Sequence, residues 1–167
     1  MIRRLIILLL IIGCEEDNSE LENFNGITEI DIEGNIISED SNDWCGEYMY
    51  HYSTDCPTEI EIVESSGIGM SLIPAEYSLS PAYPNPLDSL ATIYYGLPES
   101  SDVTFKVIDR AGNTVRNLGN ANQAAGYYCI SWDGRNDDGD IVESDLYRVF
   151  IYANHFSCSG DLQFSPN

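Results

Sequence analysis

The sequence predicts an all-β protein whose main part is an antiparallel β-sandwich, and three observations support this prediction. From residue 91 onward, short alternating runs of apolar and polar residues recur about every ten residues, with Gly, Asn and Asp between them. Tyr, Ile, Thr and Val are abundant, whereas long runs of helix-forming residues are absent. Five Pro residues lie between residues 74 and 98 and exclude a helix there.

The alternation within residues 81–167 assigns individual side chains to the core. The residues expected to face it are Ile93, Tyr95, Leu97, Val103, Phe105, Val107, Tyr128, Ile130 and Trp132. Residues 125–147 are predicted to form a hairpin, with a polar turn after Trp132. Cys129 should face away from the core, and residues 154–167 are expected to fold back over that outer face as an extra strand, with Phe164 adding cover.

The N-terminus predicts a signal peptide. Arg3 and Arg4 precede an apolar run from Leu5 to Ile12, which is too short for a helix to cross a hydrocarbon core of about 30 Å. Residues 11–14 end in Gly13-Cys14 and resemble the lipobox of bacterial lipoproteins. The resemblance implies that Cys14 is acylated and attaches the chain to a lipid bilayer. The expected location is the bacterial cell envelope, at the outer membrane, on either its periplasmic or its cell-surface side.

The chain is expected to have five parts. Residues 1–13 are the signal peptide, and residues 14–26 are a flexible tether rich in Glu, Asp, Asn and Ser. Residues 27–66 form a small β-rich segment, residues 67–80 a linker or entry strand, and residues 81–167 the sandwich with a C-terminal extension. In the β-rich segment, Thr28, Ile30 and Ile32 alternate on one face and Gly34-Asn35 supplies a tight turn, which predicts a hairpin or a strand with a short return.

Four cysteines follow the lipobox: Cys45, Cys56, Cys129 and Cys158. In an exported protein an even set is most simply a disulfide framework, and four cysteines allow three pairings. Proximity in sequence favours Cys45 with Cys56 and Cys129 with Cys158. The alternative is a zinc site of Cys45 and Cys56 with His51 and His155, but the spacing fits no zinc pattern.

Two groups of residues are candidate binding sites. The first is an aromatic surface of Trp44, Tyr48, Tyr50 and Tyr52, which could stack on a sugar or contact a protein, although such residues more often pack a small core. The second is an acidic loop that could hold Ca²⁺, although it misses the EF-hand spacing and polar turn chemistry also explains it. Its candidate ligands are Asp133, Asn136, Asp137, Asp138, Asp140 and Glu143.

Ordered motifs in residues 81–153 carry a family resemblance. They are Tyr83-Pro84-Asn85-Pro86, Thr92-Ile93-Tyr94-Tyr95-Gly96-Leu97-Pro98, Val115-Arg116-Asn117-Leu118 and Trp132-Asp133-Gly134-Arg135-Asn136-Asp137-Asp138-Gly139, then Val142, Ser144 and Tyr147. In this order they resemble the immunoglobulin-like domain of the flagellar hook-capping protein FlgD and related C-terminal modules of type IX secretion. The resemblance implies an antiparallel Ig-like β-sandwich, here preceded by a small disulfide-clamped β-rich segment. It also implies a structural, adhesive or sorting role without catalytic residues.

The charge excludes several classes of partner. Seven Lys and Arg against 28 Asp and Glu give a net charge of −21. Such a surface is repelled by nucleic acids and by anionic lipid headgroups, so membrane attachment requires the acyl anchor. The sequence has no recognisable Ser/His/Asp motif or Gly-rich phosphate loop, which argues against an enzyme and a cofactor. The prediction is a non-enzymatic structural or protein-contact module with an unknown envelope protein as partner. The alternative is a surface lipoprotein that binds glycan or calcium.

Overall fold

The computed structural model describes residue 24 and residues 26–40, 43–46, 61–62 and 73–167, with backbone pairing alone for residues 61–62. These residues form β-strands and no helix, and so contain no helix able to cross a membrane. The strands are β1 (Glu29–Ile30), β2 (Ile36–Ser38), β3 (Glu61–Ile62), β4 (Ser78–Leu79), β5 (Ala91–Leu97), β6 (Ser101–Ile108), β7 (Thr114–Gln123), β8 (Gly126–Trp132), β9 (Leu146–Ala153) and β10 (Phe156–Gln163). The predicted all-β fold class is confirmed.

Two four-stranded antiparallel sheets form the sandwich. We call the sheet with the order β10-β9-β6-β7 the front sheet and the sheet with the order β3-β8-β5-β4 the back sheet. In the front sheet, β6 pairs with β7 on one side and with β9 on the other. In the back sheet, β5 and β8 pair along their whole lengths, from Ala91 opposite Trp132 to Leu97 opposite Gly126. β1 and β2 form a separate hairpin.

The core lies between the two sheets, where their facing side chains meet. The ring of Tyr95 on β5 lies 4.8 Å from that of Phe105 on β6, and the ring of Trp132 on β8 lies 5.1 Å from that of Tyr147 on β9. All nine core residues predicted from the alternation are buried in this cluster. Since a fully buried side chain of this size contributes about 1.5–3 kcal/mol, this cluster is the main stabilising element of the sandwich.

The predicted hairpin over residues 125–147 is wrong. β8 belongs to the back sheet and β9 to the front sheet, so the intervening loop crosses from one sheet to the other. The second β-rich run makes only an isolated bridge, between Ile141 and Arg135, before β9 begins. Alternation shows that each strand buries one face, but it does not show whether the two strands are paired or lie in opposite sheets.

Residues 154–167 form an extra strand, as predicted, but not in the predicted place. β10 pairs with β9 at the edge of the front sheet, after a turn that contains Asn154 with a φ of 54°. It therefore extends the sheet and does not cover a face. Phe164 is 2% exposed and packs against Trp132 inside the core, with ring centroids 6.0 Å apart.

Residues before position 81 complete the back sheet. β4 lies in the predicted linker and pairs with β5, while β3 pairs with β8. The predicted hairpin around Gly34 is confirmed, with Gly34 at a φ of 84° in the turn between β1 and β2. The N-terminal part of the chain thus contributes strands to the sandwich as well as a hairpin beside it.

Candidate functional site

Residues 43–46 form a short segment, here called the strap, that joins the edges of the two sheets. The backbone N–H of Trp44 donates to the carbonyl of Ser159 on β10 at 3.0 Å. The N–H of Cys45 donates to the carbonyl of Leu79 on β4 at 3.2 Å. Because β10 is an edge strand of the front sheet and β4 of the back sheet, the strap closes this side of the sandwich.

The indole of Trp44 fills the space beneath the strap. Trp44 is 8% exposed, belongs to the core cluster and has a φ of 63°, an unfavourable conformation for a bulky residue. Its ring lies directly on Gly160, where an added Cβ would be 2.1 Å from the indole. The Trp44 ring is therefore not available for the predicted binding surface. Tyr48, Tyr50 and Tyr52, the other members of that surface, lie outside the described residues.

A disulfide fastens the strap to β10. Cys45 is bonded to Cys158, at a sequence separation of 113 residues, so the predicted pairs Cys45–Cys56 and Cys129–Cys158 are wrong. Proximity in sequence is a weak guide, because the entropy of closing a loop grows only with the logarithm of its length. Cys129 is also disulfide-bonded. It lies on β8 in the back sheet, outside the core cluster, whereas Cys158 lies in the front sheet. Cys56 and the predicted lipidation site Cys14 lie outside the described residues.

The half-buried Asp43 of the strap meets a buried ion pair of Arg148 and Asp161 in the front sheet. Arg148 donates to both carboxylate oxygens of Asp161, from Nε at 2.6 Å and from Nη2 at 2.8 Å. The N–H of Asp161 in turn donates to Oδ1 of Asp43 at 3.2 Å. Burial, and then the nearby charge of Asp161, raises the pKa of Asp43 to about 7. Burial also raises the pKa of Asp161, while the hydrogen bond and charge of Arg148 oppose that rise. The strap therefore carries a carboxyl that titrates near neutral pH.

Phe24 marks where the N-terminal part of the chain reaches the sandwich. Its ring lies over the guanidinium of Arg148, 4.4 Å from the ring centroid, and near that of Arg110 at 5.9 Å. Contacts of this kind between a cation and an aromatic face contribute about 0.5–2 kcal/mol. These contacts place Phe24 beside Arg110 and Arg148.

The hairpin of β1 and β2, residues 29–38, is fixed firmly at its base. Ile30 is 1% exposed and exchanges two backbone hydrogen bonds with Asn85, of 2.8 and 3.0 Å. The buried side chain of Asn85 donates to the carbonyls of Thr28 and Asp161, and its Oδ1 accepts from the N–H of Gln163. Asn85 thereby joins the hairpin base to β10.

The turn of this hairpin is held by one aspartate. Asp31 accepts from the N–H groups of Glu33 and Asn35 through Oδ1 and from Nδ2 of Asn35 through Oδ2, over 2.8–3.0 Å. These hydrogen bonds, above all that from the Asn35 side chain, lower the pKa of Asp31. The hydroxyl of Tyr83 also donates to the carbonyl of Ile32. The turn is consequently well ordered although it is exposed.

The tip of the hairpin is exposed and apolar. Ile32 is 74% exposed, Ile36 45% and Ile37 63%. The alternation predicted Ile32 on the same face as Thr28 and Ile30. Those two residues are buried, but β1 ends at Ile30 and Ile32 belongs to the turn. A signal was present in the adjacent Ile36-Ile37, because an isolated two-stranded hairpin is too small to bury both of these side chains.

In the acidic loop, residues 133–143, the carboxylates mainly organise the backbone. Asp137 accepts from the backbone N–H of Asn117 at 2.9 Å and from its Nδ2 at 2.6 Å, and these bonds lower the pKa of Asp137. Asn136 Oδ1 accepts from the N–H of Asp140 at 2.8 Å. Within the described part of the chain, no three His, Cys, Asp or Glu side chains are arranged to hold a metal ion. Cys45 cannot serve as a ligand in the zinc alternative, because its sulfur is bonded to that of Cys158.

A protein-family model supports the fold. The model of the FlgD Ig-like domain family matches residues 87–155, which is less than half of the chain. The crystal structure of dimeric latent PorU from Porphyromonas gingivalis is similar at a TM-score of 0.41 and 17% sequence identity. That likeness covers 52% of this chain and 9% of the PorU chain. The comparison with curated proteins finds no match. Residues 87–155 are therefore similar to the FlgD Ig-like domain, within an antiparallel Ig-like β-sandwich.

Proposed function

We propose that this protein is a lipid-anchored component of the bacterial envelope whose Ig-like sandwich serves as a non-catalytic protein-contact module. The family match over residues 87–155 carries the proposal, because that domain type is structural. The sandwich supports this role, since its interior is filled by packed aromatic and aliphatic side chains and its exposed apolar residues concentrate on the hairpin.

The anchor would be Cys14, in the lipobox-like residues 11–14. Acylation of its thiol and of its new N-terminus would exceed the two lipid signals that stable attachment requires. Phe24 lies ten positions after Cys14, so a fully extended tether between them would span about 35 Å. The sandwich would then remain close to the membrane that holds it.

Metabolic labelling with an alkyne fatty acid tests the anchor. We expect label on the full-length chain in the membrane fraction and none on Cys14→Ser. Cys45→Ser is the matched control, because it removes a different cysteine and should keep the label even if folding suffers. Label that persists in Cys14→Ser, or a wild-type chain without label, would contradict the anchor.

Chemical crosslinking of the intact envelope tests the contact role. A contact module should give reproducible crosslinks between lysines of one envelope protein and carboxylates of this acidic chain. Protease treatment of intact cells then shows which side of the membrane the contact occupies. A specific contact role would be contradicted if the amount of crosslink to each lipid or protein simply followed its abundance in the envelope.

The glycan or calcium alternative has less support. The Trp44 ring, its leading candidate for sugar stacking, is buried under the strap. Asp137, a candidate calcium ligand, already binds Asn117 through both carboxylate oxygens. We therefore develop the contact role alone.

A further inference from the structure

The apolar tip of the hairpin is the most concentrated exposed apolar feature of the described residues. Three of their six exposed large apolar side chains lie within residues 32–37, namely Ile32, Ile36 and Ile37. Single exposed apolar residues are normal on a protein surface, whereas a cluster of this kind marks an interaction site. None of the three contributes to the core cluster of the sandwich.

The hairpin is ordered before any partner arrives. Its base is fixed by the backbone pair between Ile30 and Asn85, and its turn by the hydrogen bonds to Asp31. Gly34, at a φ of 84°, supplies the conformation that the turn requires. Preorganisation of this kind lowers the entropy lost on binding.

β2 offers an edge to which a further strand can be added. Among the residues that the structure describes, its only strand partner is β1. All three of its residues are exposed, so the opposite edge presents backbone hydrogen-bonding groups to the outside. Ile36 is 45% exposed and Ile37 63%, so both side chains can contribute apolar contacts to an added strand.

The charge around the hairpin selects the partner. Residues 29–39 contain Glu29, Asp31, Glu33 and Glu39 but no Lys or Arg. A partner segment that is apolar alone would leave this charge uncompensated, and an acidic one would be repelled. The complementary segment is extended, alternates apolar residues with others, and carries Lys or Arg.

We propose that the hairpin binds an extended cationic segment of a partner protein, which adds to the edge of β2 as a third strand. Its apolar side chains pack on Ile36 and Ile37, and its Lys or Arg side chains lie against the surrounding carboxylates. This inference rests on the proposed contact role but not on the lipid anchor.

Selection from a phage-displayed library of random linear peptides tests the proposal without naming the partner. The target is the full-length chain purified in a mild detergent and immobilised, so that its capture does not depend on acylation. We expect enriched peptides that combine β-branched or aromatic residues with Lys or Arg. Their affinity should fall by about tenfold or more in the double variant Ile36→Ser, Ile37→Ser, because the apolar contact is lost. Ile141→Ser is the matched control, since Ile141 is 61% exposed but lies in the acidic loop and not in the hairpin, and its effect should be under about twofold.

Methylation of the peptide backbone separates strand addition from contact through side chains alone. Methyl groups on alternate peptide nitrogens should abolish binding in one of the two registers and spare it in the other, since only alternate N–H groups face the neighbouring strand. Failure to enrich any such peptide, binding that survives the double variant, or insensitivity to methylation in both registers would overturn the proposal. A chain that carries the fatty-acid label at Cys14 but selects no peptide would refute the docking site alone. A chain that selects the expected peptides but carries no fatty-acid label would refute the anchor alone.

Discussion

Replacing Asp43 with Asn should remove a loss of stability that occurs as the pH rises. Oδ1 of Asp43 accepts from the N–H of Asp161, whereas its Oδ2 is buried and has no hydrogen-bond partner in the described part of the chain. Burial and the charge of Asp161 raise the pKa of Asp43 from 3.8 to about 7. In this range the folded chain binds one more proton than the unfolded chain. The free energy of unfolding therefore falls as the pH rises from about 4 to about 7.

The size of the effect follows from the pKa and from the position of the side chain. The rise in the pKa of Asp43 from 3.8 to about 7 would change the free energy of unfolding by about 4 kcal/mol if the carboxyl were fully shielded from solvent. Asp43 is only half-buried, and solvent screening reduces the expected effect to about 1–2 kcal/mol. The Asn side chain keeps the Oδ1 acceptor and cannot ionise. The variant should match the wild-type chain near pH 4 and be more stable by about 1–2 kcal/mol near pH 8, which raises Tm by about 3–6 °C.

Thermal unfolding of both chains across this pH range provides the measurement. Because removing any negative charge relieves repulsion in so acidic a chain, the control must remove one as well. Asp138→Asn serves, since Asp138 is exposed in the acidic loop. The reasoning is refuted if Asp43→Asn and Asp138→Asn change Tm equally at every pH.

Three further predictions concern the strap and the acidic loop. Gly160→Ala should destabilise the fold by about 1–3 kcal/mol, because its Cβ would overlap the Trp44 ring, whereas the nearest contact in the control Gly126→Ala is 3.4 Å. Denaturant unfolding followed by tryptophan fluorescence compares the two, and equal losses would contradict the packing of Trp44. Asp137→Ala should lower Tm more than Asp138→Ala, because Asp137 holds the backbone of Asn117. Calcium or a chelator should leave the wild-type Tm unchanged in the same scans, and a rise with calcium would restore the calcium alternative.

Local patterns were enough to predict much of the fold. Alternation identified the core residues from Ile93 to Trp132, because a strand that buries one face shows period two in its own sequence. Gly34-Asn35 indicated the turn of the hairpin, because positive φ is a local requirement. These predictions needed no knowledge of which strands pair.

The candidate site depends on contacts between distant residues, which a single sequence does not show. The pKa of Asp43 is raised partly by Asp161, 118 residues away, and Trp44 fits only because position 160 has no side chain. The disulfide of Cys45 likewise requires that β10 lie beside the strap. For the same reason, alternation in residues 125–147 could not distinguish a hairpin from a crossing between sheets.

The disulfide map tests most directly the central claim that the strap fastens the N-terminal segment to the sandwich. The protein is digested without reduction, and the crosslinked peptides are identified by mass spectrometry. The expected result is a peptide pair that joins Cys45 to Cys158. In Cys45→Ser this pair should be absent, and the free energy of unfolding should be lower by about 2–4 kcal/mol. A peptide pair that joins Cys45 to Cys56, or Cys129 to Cys158, would contradict the claim.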